Sequence, residues 1–145
     1  MRVAVLNGPN LNLLGQREPE VYGRASLAEL ERQVRVEAAA LGVTLTWFQT
    51  NHEGAFVEAV QGLQGTAEGA LVNAAAFTHT SLAIRDAFLA VRVPFVEVHL
   101  SNIFAREPER RHSRLADLAV GVIAGFGPAG YRLALNALVA KLRAG

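Results

Sequence analysis

The feature that most constrains this chain is an alternation of two hydrophobic patterns. Short apolar runs at 2–7 (RVAVLN), 44–49 (TLTWFQ), 69–73 (GALVN), 94–98 (PFVEV) and 119–124 (AVGVIA) read as strands. Several are apolar at consecutive positions, as in strands of a parallel sheet buried on both faces. Helical patterns lie between and after them, near 26–41, 53–64, 81–91 and 128–143. Ser26-Leu27-Ala28-Glu29 is a capping box at the start of the first, and Gly42 ends it. His52-Glu53 and Thr80-Ser81 supply plausible starts for the next two.

Five strands alternating with helices predict an α/β, doubly wound parallel sheet. Right-handed crossovers make the flavodoxin-like strand order 2-1-3-4-5 the leading topology. The length, 145 residues, fits a single domain over 1–145. Two connections are unusually long: 8–25 after the first strand, and the arginine-rich 99–113 after the fourth. Both fall at the carboxyl ends of strands, where open α/β sheets bind ligands.

Composition narrows the chemistry. The chain has no cysteine, which excludes disulfides, thiolate nucleophiles and cysteine metal sites. Of 14 basic residues only Lys141 is a lysine, so an imine mechanism has one candidate. The aspartates are Asp86 and Asp117 alone, too few for an acidic cluster. No histidine or carboxylate pair has metal-ligand spacing, and Gly8-Pro9-Asn10 is not the Ser/Thr-rich phosphate loop a flavin wants, so neither metal nor cofactor is expected. A net charge of +1 argues against nucleic acid. No leader and no run near the ~18 apolar residues of a spanning helix is visible, so a soluble, cytoplasmic protein is expected.

Gly125-Phe126-Gly127-Pro128-Ala129-Gly130 fits the G-x-G-x-x-G pattern, but no strand and no acid follow it. It is therefore read as a tight turn into the last helix. That helix has few polar residues: Arg132, Asn136 and Arg143 share a stripe, with Lys141 nearly opposite. So apolar a helix implies cover on more than one side, by self-association or by a wide intramolecular footprint.

The polar residues at the strand ends form one constellation. Asn7 and Asn10 follow strand one, Asn73 ends strand three, and His79 precedes the third helix. His99, Ser101 and Asn102 follow strand four, while Arg17, Tyr22, Arg106 and Arg110 lie on the two long loops. These are mostly donors with almost no carboxylates, which suits a small, anionic, oxygen-rich ligand. Singly, Tyr22 reads as an ordinary loop tyrosine, His52 and His112 as structural or solvent-facing, and Arg111 and Arg114 as a solvated run. A non-catalytic small-anion binding module with a lid is the alternative to an enzyme.

Four segments resemble the type II dehydroquinases, the type II 3-dehydroquinate dehydratases. They are Leu6-Asn7-Gly8-Pro9-Asn10-Leu11-Asn12-Leu13-Leu14-Gly15 with Arg17-Glu18-Pro19 and Tyr22-Gly23; Asn73 with Thr78-His79-Thr80-Ser81 and Arg85-Asp86-Ala87; Glu97-Val98-His99-Leu100-Ser101-Asn102; and Ala105-Arg106-Glu107 with Arg110. The resemblance implies a flavodoxin-like fold, trimers assembled into dodecamers, and anti elimination of water from 3-dehydroquinate through an enolate in the shikimate pathway. It implies Tyr22 as base, ionised beside Arg17, His99 as acid, and Asn10 as holder of an enolate-stabilising water. It implies substrate binding by Asn73, His79, Leu100, Ser101 and Arg110, with Asp86 reaching in from a neighbouring subunit, and an orienting role for Glu97. The chain departs from the family at Phe104, where a histidine is frequent, and at Pro108-Glu109.

Overall fold

The computed structural model describes residues 1–145 except Arg17, Gly23 and the side chains of Pro19 and Tyr22. Five parallel strands, β1 (Arg2–Asn7), β2 (Thr44–Gln49), β3 (Gly69–Asn73), β4 (Phe95–His99) and β5 (Gly121–Ala124), form one sheet. Its order is β2-β1-β3-β4-β5, as the alternation of strands and helices predicts. The register pairs Asn7 with both Gln49 and Asn73, so three strands end level at one edge.

The helices are α1 (Pro19–Tyr22), α2 (Leu27–Ala40), α3 (Glu53–Gln61), α4 (Phe77–Thr80), α5 (Leu82–Val91) and α6 (Ala129–Arg143). Strand alternation sorts the core into two layers. Val3 and Val5 join Leu30, Val34 and Ala38 of α2 and Leu135 and Leu138 of α6 on one face. Ala4 and Leu6 join Phe56 and Val60 of α3 and Ile84 and Phe88 of α5 on the other. Burying apolar side chains on both faces supplies most of the drive to fold, at about 1.5–3 kcal/mol for each fully buried Val, Leu, Ile or Phe.

The local signals explain the helix starts. Ser26 Oγ accepts from Glu29 N at 3.1 Å, and Ser81 Oγ from Ile84 N at 3.0 Å. Gly42, with φ 70°, follows α2. His52 precedes α3 without a side-chain cap, and α3 ends at Gln61 rather than 64.

Two strand bounds need correction. Strand four is Phe95–His99 rather than 94–98: it starts one residue later, and it ends one later because His99 stays in the ladder opposite Ala124. Strand five begins at Gly121 rather than 119, because the Ala119 N–H turns back to the Leu115 carbonyl. The apolar last helix finds cover for one of its faces within the chain. Gly130, Tyr131, Ala134, Leu135, Leu138 and Val139 are buried within the molecule, while Arg132, Leu133, Asn136 and Lys141 are exposed. Among the described residues, no helix is long and apolar enough to cross a membrane.

Candidate active site

The carboxyl edge of β1, β3 and β4 is built by a close backbone approach. Gly8 N–H donates to the Asn73 carbonyl at 2.8 Å, and a Cβ at Gly8 would sit 2.3 Å from the Ala74 carbonyl oxygen. Only glycine allows this contact. Two residues later Asn10 takes a left-handed conformation, φ 69°, which asparagine tolerates, and its N–H donates to Asn51 Oδ1 at 2.9 Å. The chain thus turns away from the sheet and leaves a pocket beside β3 and β4.

Pro9, Asn10, Leu11 and Leu14 wall the pocket on one side, and Asn73, Ala75, Ala76 and His79 on another. His99, Leu100, Ser101, Ile103, Arg106 and Arg110 complete it. Six of the predicted residues therefore share the pocket with Asn10: Asn73, His79, His99, Leu100, Ser101 and Arg110. Arg17 and the Tyr22 side chain lie outside the described residues. Asp86 is exposed on α5 and does not line the pocket of its own chain. Asn102 is likewise exposed, and its Oδ1 instead accepts from Phe104 N at 3.1 Å. Phe104, Pro108 and Glu109, where the chain departs from the resemblance, do not line it either.

His99 is the most constrained polar group of the pocket. It is buried at the end of β4, and its Nε2 lies 2.6 Å from Oε2 of Glu97, which is fully buried. The other Glu97 oxygen accepts from Ser113 Oγ at 2.8 Å. Ser113 Oγ in turn accepts from Leu115 N and Ala116 N at 3.0 and 3.1 Å, so its own hydrogen is directed at the carboxylate. Nε2 must donate to that carboxylate, which leaves Nδ1 as the only other ring nitrogen of His99. A proton on Nδ1 makes an imidazolium whose counter-charge, Glu97, is already in place.

The His79 ring stacks near that of His99, with centroids 6.4 Å apart and planes 20° from parallel. Its Nδ1 lies 2.8 Å from the His112 carbonyl and so carries hydrogen. Burial holds its pKa below the ordinary histidine value, and the charges of His99 and Arg110 act in the same direction. His79 is therefore neutral near pH 7, and its Nε2 is an acceptor for a ligand hydroxyl.

The second long loop is tied down. Arg114 N donates to the Thr78 carbonyl at 2.8 Å, and Arg111 Nε to the Arg106 carbonyl at 2.7 Å. Arg110 Nε pairs with Glu107 Oε1 at 2.7 Å, and Arg106 approaches Ser101 Oγ at 3.5 Å. Gly125 and Gly127 take positive φ (97° and 61°) in the turn before α6, and Gly127 N donates to the Leu100 carbonyl at 2.9 Å. The glycine pattern thus supports the pocket rim as a turn.

Sequence reasoning missed two supports of this site. Ser113 is 16 positions from Glu97, and Tyr131 bonds Asn7 and Asn73 from the last helix. Neither separation has a local pattern. A buried tyrosine needs a hydroxyl partner, which is the one available signal for Tyr131. Asn7 is fully buried against Phe48 and Tyr131 and stands behind the pocket wall. Among the described residues, no three histidine, aspartate or glutamate side chains are grouped to hold a metal ion.

The pocket offers donors, a neutral histidine acceptor and one histidine backed by a carboxylate. The family model "Dehydroquinase class II" matches residues 1–139. A 3-dehydroquinate dehydratase of Parasynechococcus marenigrum is 57% identical over 143 residues, covering 99% of this chain and 98% of its own. Catabolic 3-dehydroquinase 1 of Neosartorya fischeri is 51% identical over 134 residues, covering 92% and 89%. The crystal structure of a type II dehydroquinase from Butyrivibrio crossotus superposes with a TM-score of 0.93 at 36% identity, covering 95% of this chain and 97% of its own. The family model spans most of the chain, these relatives match nearly its full length, and the fold is shared, so the chain belongs to the class II dehydroquinases.

Proposed function

We propose that this chain, as one catalytic domain over 1–145, dehydrates 3-dehydroquinate to 3-dehydroshikimate in the cytoplasm, in the shikimate pathway. The observation that carries the reading is the buried His99–Glu97 pair opening onto a donor-rich pocket, in a chain of this family. The reaction is an anti elimination through an enolate, and it uses no metal or cofactor.

Tyr22, as phenolate, removes the proton next to the ketone. An ordinary tyrosine, with a pKa of about 10, is only ~0.1% ionised at pH 7, so a nearby cation is needed. Arg17 is that cation, and it remains charged at any relevant pH. The electrons of the broken C–H bond form the enolate, and Asn10 holds the water that hydrogen-bonds its oxygen. As the enolate returns to the ketone, the carbon–carbon double bond forms and the hydroxyl leaves. His99 donates the proton from Nδ1, so the leaving group departs as water. Asn73 and the amides of Leu100 and Ser101 bind the carboxylate, while His79 and Arg110 bind the ring hydroxyls. Lys141 is exposed on the last turns of α6, next to Leu142, which packs at Gly69, the first residue of β3. That is the opposite edge of the sheet, roughly 13 Å of strand from Asn73, so an imine route is out of reach.

The homo-oligomer is a dodecamer of trimers, with Asp86 entering a neighbour's site. Its exposed place on α5, off its own pocket, supports this reading.

Isotopic labelling tests the reaction and its stereochemistry together. Deuterium is placed next to the ketone of 3-dehydroquinate, either anti or syn to the leaving hydroxyl. The enone product is expected to lose the anti label and keep the syn label. Loss of the syn label contradicts anti elimination, and no enone at all contradicts the reaction.

A further inference from the structure

A buried chain of side-chain hydrogen bonds runs from the backbone of β2 to the wall of the pocket, and its direction is fixed at both ends. The Phe48 carbonyl can only accept, so Asn7 presents Nδ2 to it, at 3.1 Å. Asn7 Oδ1 therefore faces the other way and accepts from the Tyr131 hydroxyl at 2.6 Å. That bond uses the single hydroxyl hydrogen, so the Tyr131 oxygen accepts in turn, from Asn73 Nδ2 at 3.0 Å. At the far end the Ala75 N–H can only donate, and Asn73 Oδ1 accepts it at 3.1 Å. Both ends demand the same orientation of the Asn73 amide. Its carbonyl oxygen and one N–H are engaged within the protein, and the second N–H is the remaining donor.

Asn7 and Tyr131 are fully buried and Asn73 nearly so, at 0%, 0% and 4% exposure, so solvent does not replace the links. Burial also raises the pKa of the Tyr131 hydroxyl, which keeps it a neutral donor at any ordinary pH. The ring is held against Trp47, with centroids 5.9 Å apart, on a helix whose buried face packs on the sheet. The anchor therefore exists before any ligand arrives.

We propose that Tyr131 is a positioning residue: through this one-way chain it holds the Asn73 side-chain amide with a free N–H toward the pocket, preset for the ligand's carboxylate. The inference rests on the reading of Asn73 as a carboxylate-binding residue. Without the hydroxyl, Asn73 Nδ2 loses its acceptor and the amide is held by the Ala75 N–H alone, and Asn7 loses the donor to its oxygen. The consequence belongs to binding rather than to proton transfer.

Steady-state kinetics on 3-dehydroquinate with wild type, Tyr131→Phe, Asn73→Ala and the double variant test this. A lost hydrogen bond of ordinary strength predicts a KM raised about three- to tenfold in Tyr131→Phe, with kcat within about twofold. In the Asn73→Ala background the same substitution is expected to change KM by less than about twofold, since the residue it acts through is gone. An unchanged KM in Tyr131→Phe, or an equal factor in both backgrounds, overturns the role. If Tyr131→Phe does not fold, the wild-type side-chain amide of Asn73 answers by hydrogen exchange. One of its two hydrogens must be strongly protected, and rapid exchange of both overturns the role. A wild type that does not turn over 3-dehydroquinate overturns the proposed function instead.

Discussion

At the residue scale, the pocket depends on groups that never touch the ligand. Ser113 directs its hydroxyl at Glu97, a carboxylate with no solvent around it, and Glu97 holds His99 by Nε2. A hydrogen bond to a charged group contributes about 1.5–3 kcal/mol. Ser113→Ala is therefore expected to lower kcat about tenfold with little change in KM, read by steady-state kinetics on a variant shown to be folded. A kcat equal to wild type would show that Ser113 does not orient the pair. His79 gives a pH prediction. Its native pKa lies below 6.5, while the unfolded chain titrates near that value. Between the two the unfolded state binds more protons, so this residue makes stability fall as pH drops below about 6.5. His79→Gln should flatten that part of the stability–pH curve in urea titrations. A slope identical to wild type would contradict the burial argument. His79, His99 and Asn73 were legible in the sequence because each sits at a strand end or helix start. Ser113 and Tyr131 were not, because only tertiary packing brings them to Glu97 and Asn73.

At the scale of elements, the carboxyl ends of β1, β3 and β4 create the site, and Gly8 lets the first two meet. Replacing it with alanine puts a Cβ 2.3 Å from a backbone oxygen, with no flexible side chain to yield. Gly8→Ala is expected to destabilise the fold by about 1–3 kcal/mol in urea denaturation and to reduce turnover through displacement of Asn10. Unchanged stability would mean that β1 and β3 can separate freely. Strands β1, β2 and β3 were legible to the residue, because each is an apolar run bounded by turn residues. The fourth was not, because a polar His99 continues the ladder. The short α4 escaped for a different reason: four residues carry no helical period, and Phe77–Thr80 is held by its fit between β3 and the arginine-rich loop. The last helix was legible as apolar and in need of cover, but its partners were not, since they come from strands far away in the chain.

At the scale of the whole molecule, the proposed assembly places Asp86 of one subunit beside the site of another. Tyr22→Phe is expected to abolish turnover while still binding ligand, and Asp86→Ala to weaken it. Mixing the two variants, dissociated and reassembled, should restore activity in sites that draw a native Tyr22 and a native Asp86 from different chains. Mixtures no more active than their parts, or sedimentation of the native protein as a monomer, would contradict a shared site. The absence of cysteine and the single, remote Lys141 take on meaning at this scale. The proposed chemistry requires neither thiolate nor imine, and rests on tyrosine, arginine and histidine.

The most direct test is the absorbance of the conjugated enone when purified protein, dialysed against chelator, is mixed with 3-dehydroquinate. The account predicts a steady rise to equilibrium in wild type and none in Tyr22→Phe. No rise in wild type, or an undiminished rise in Tyr22→Phe, would contradict it.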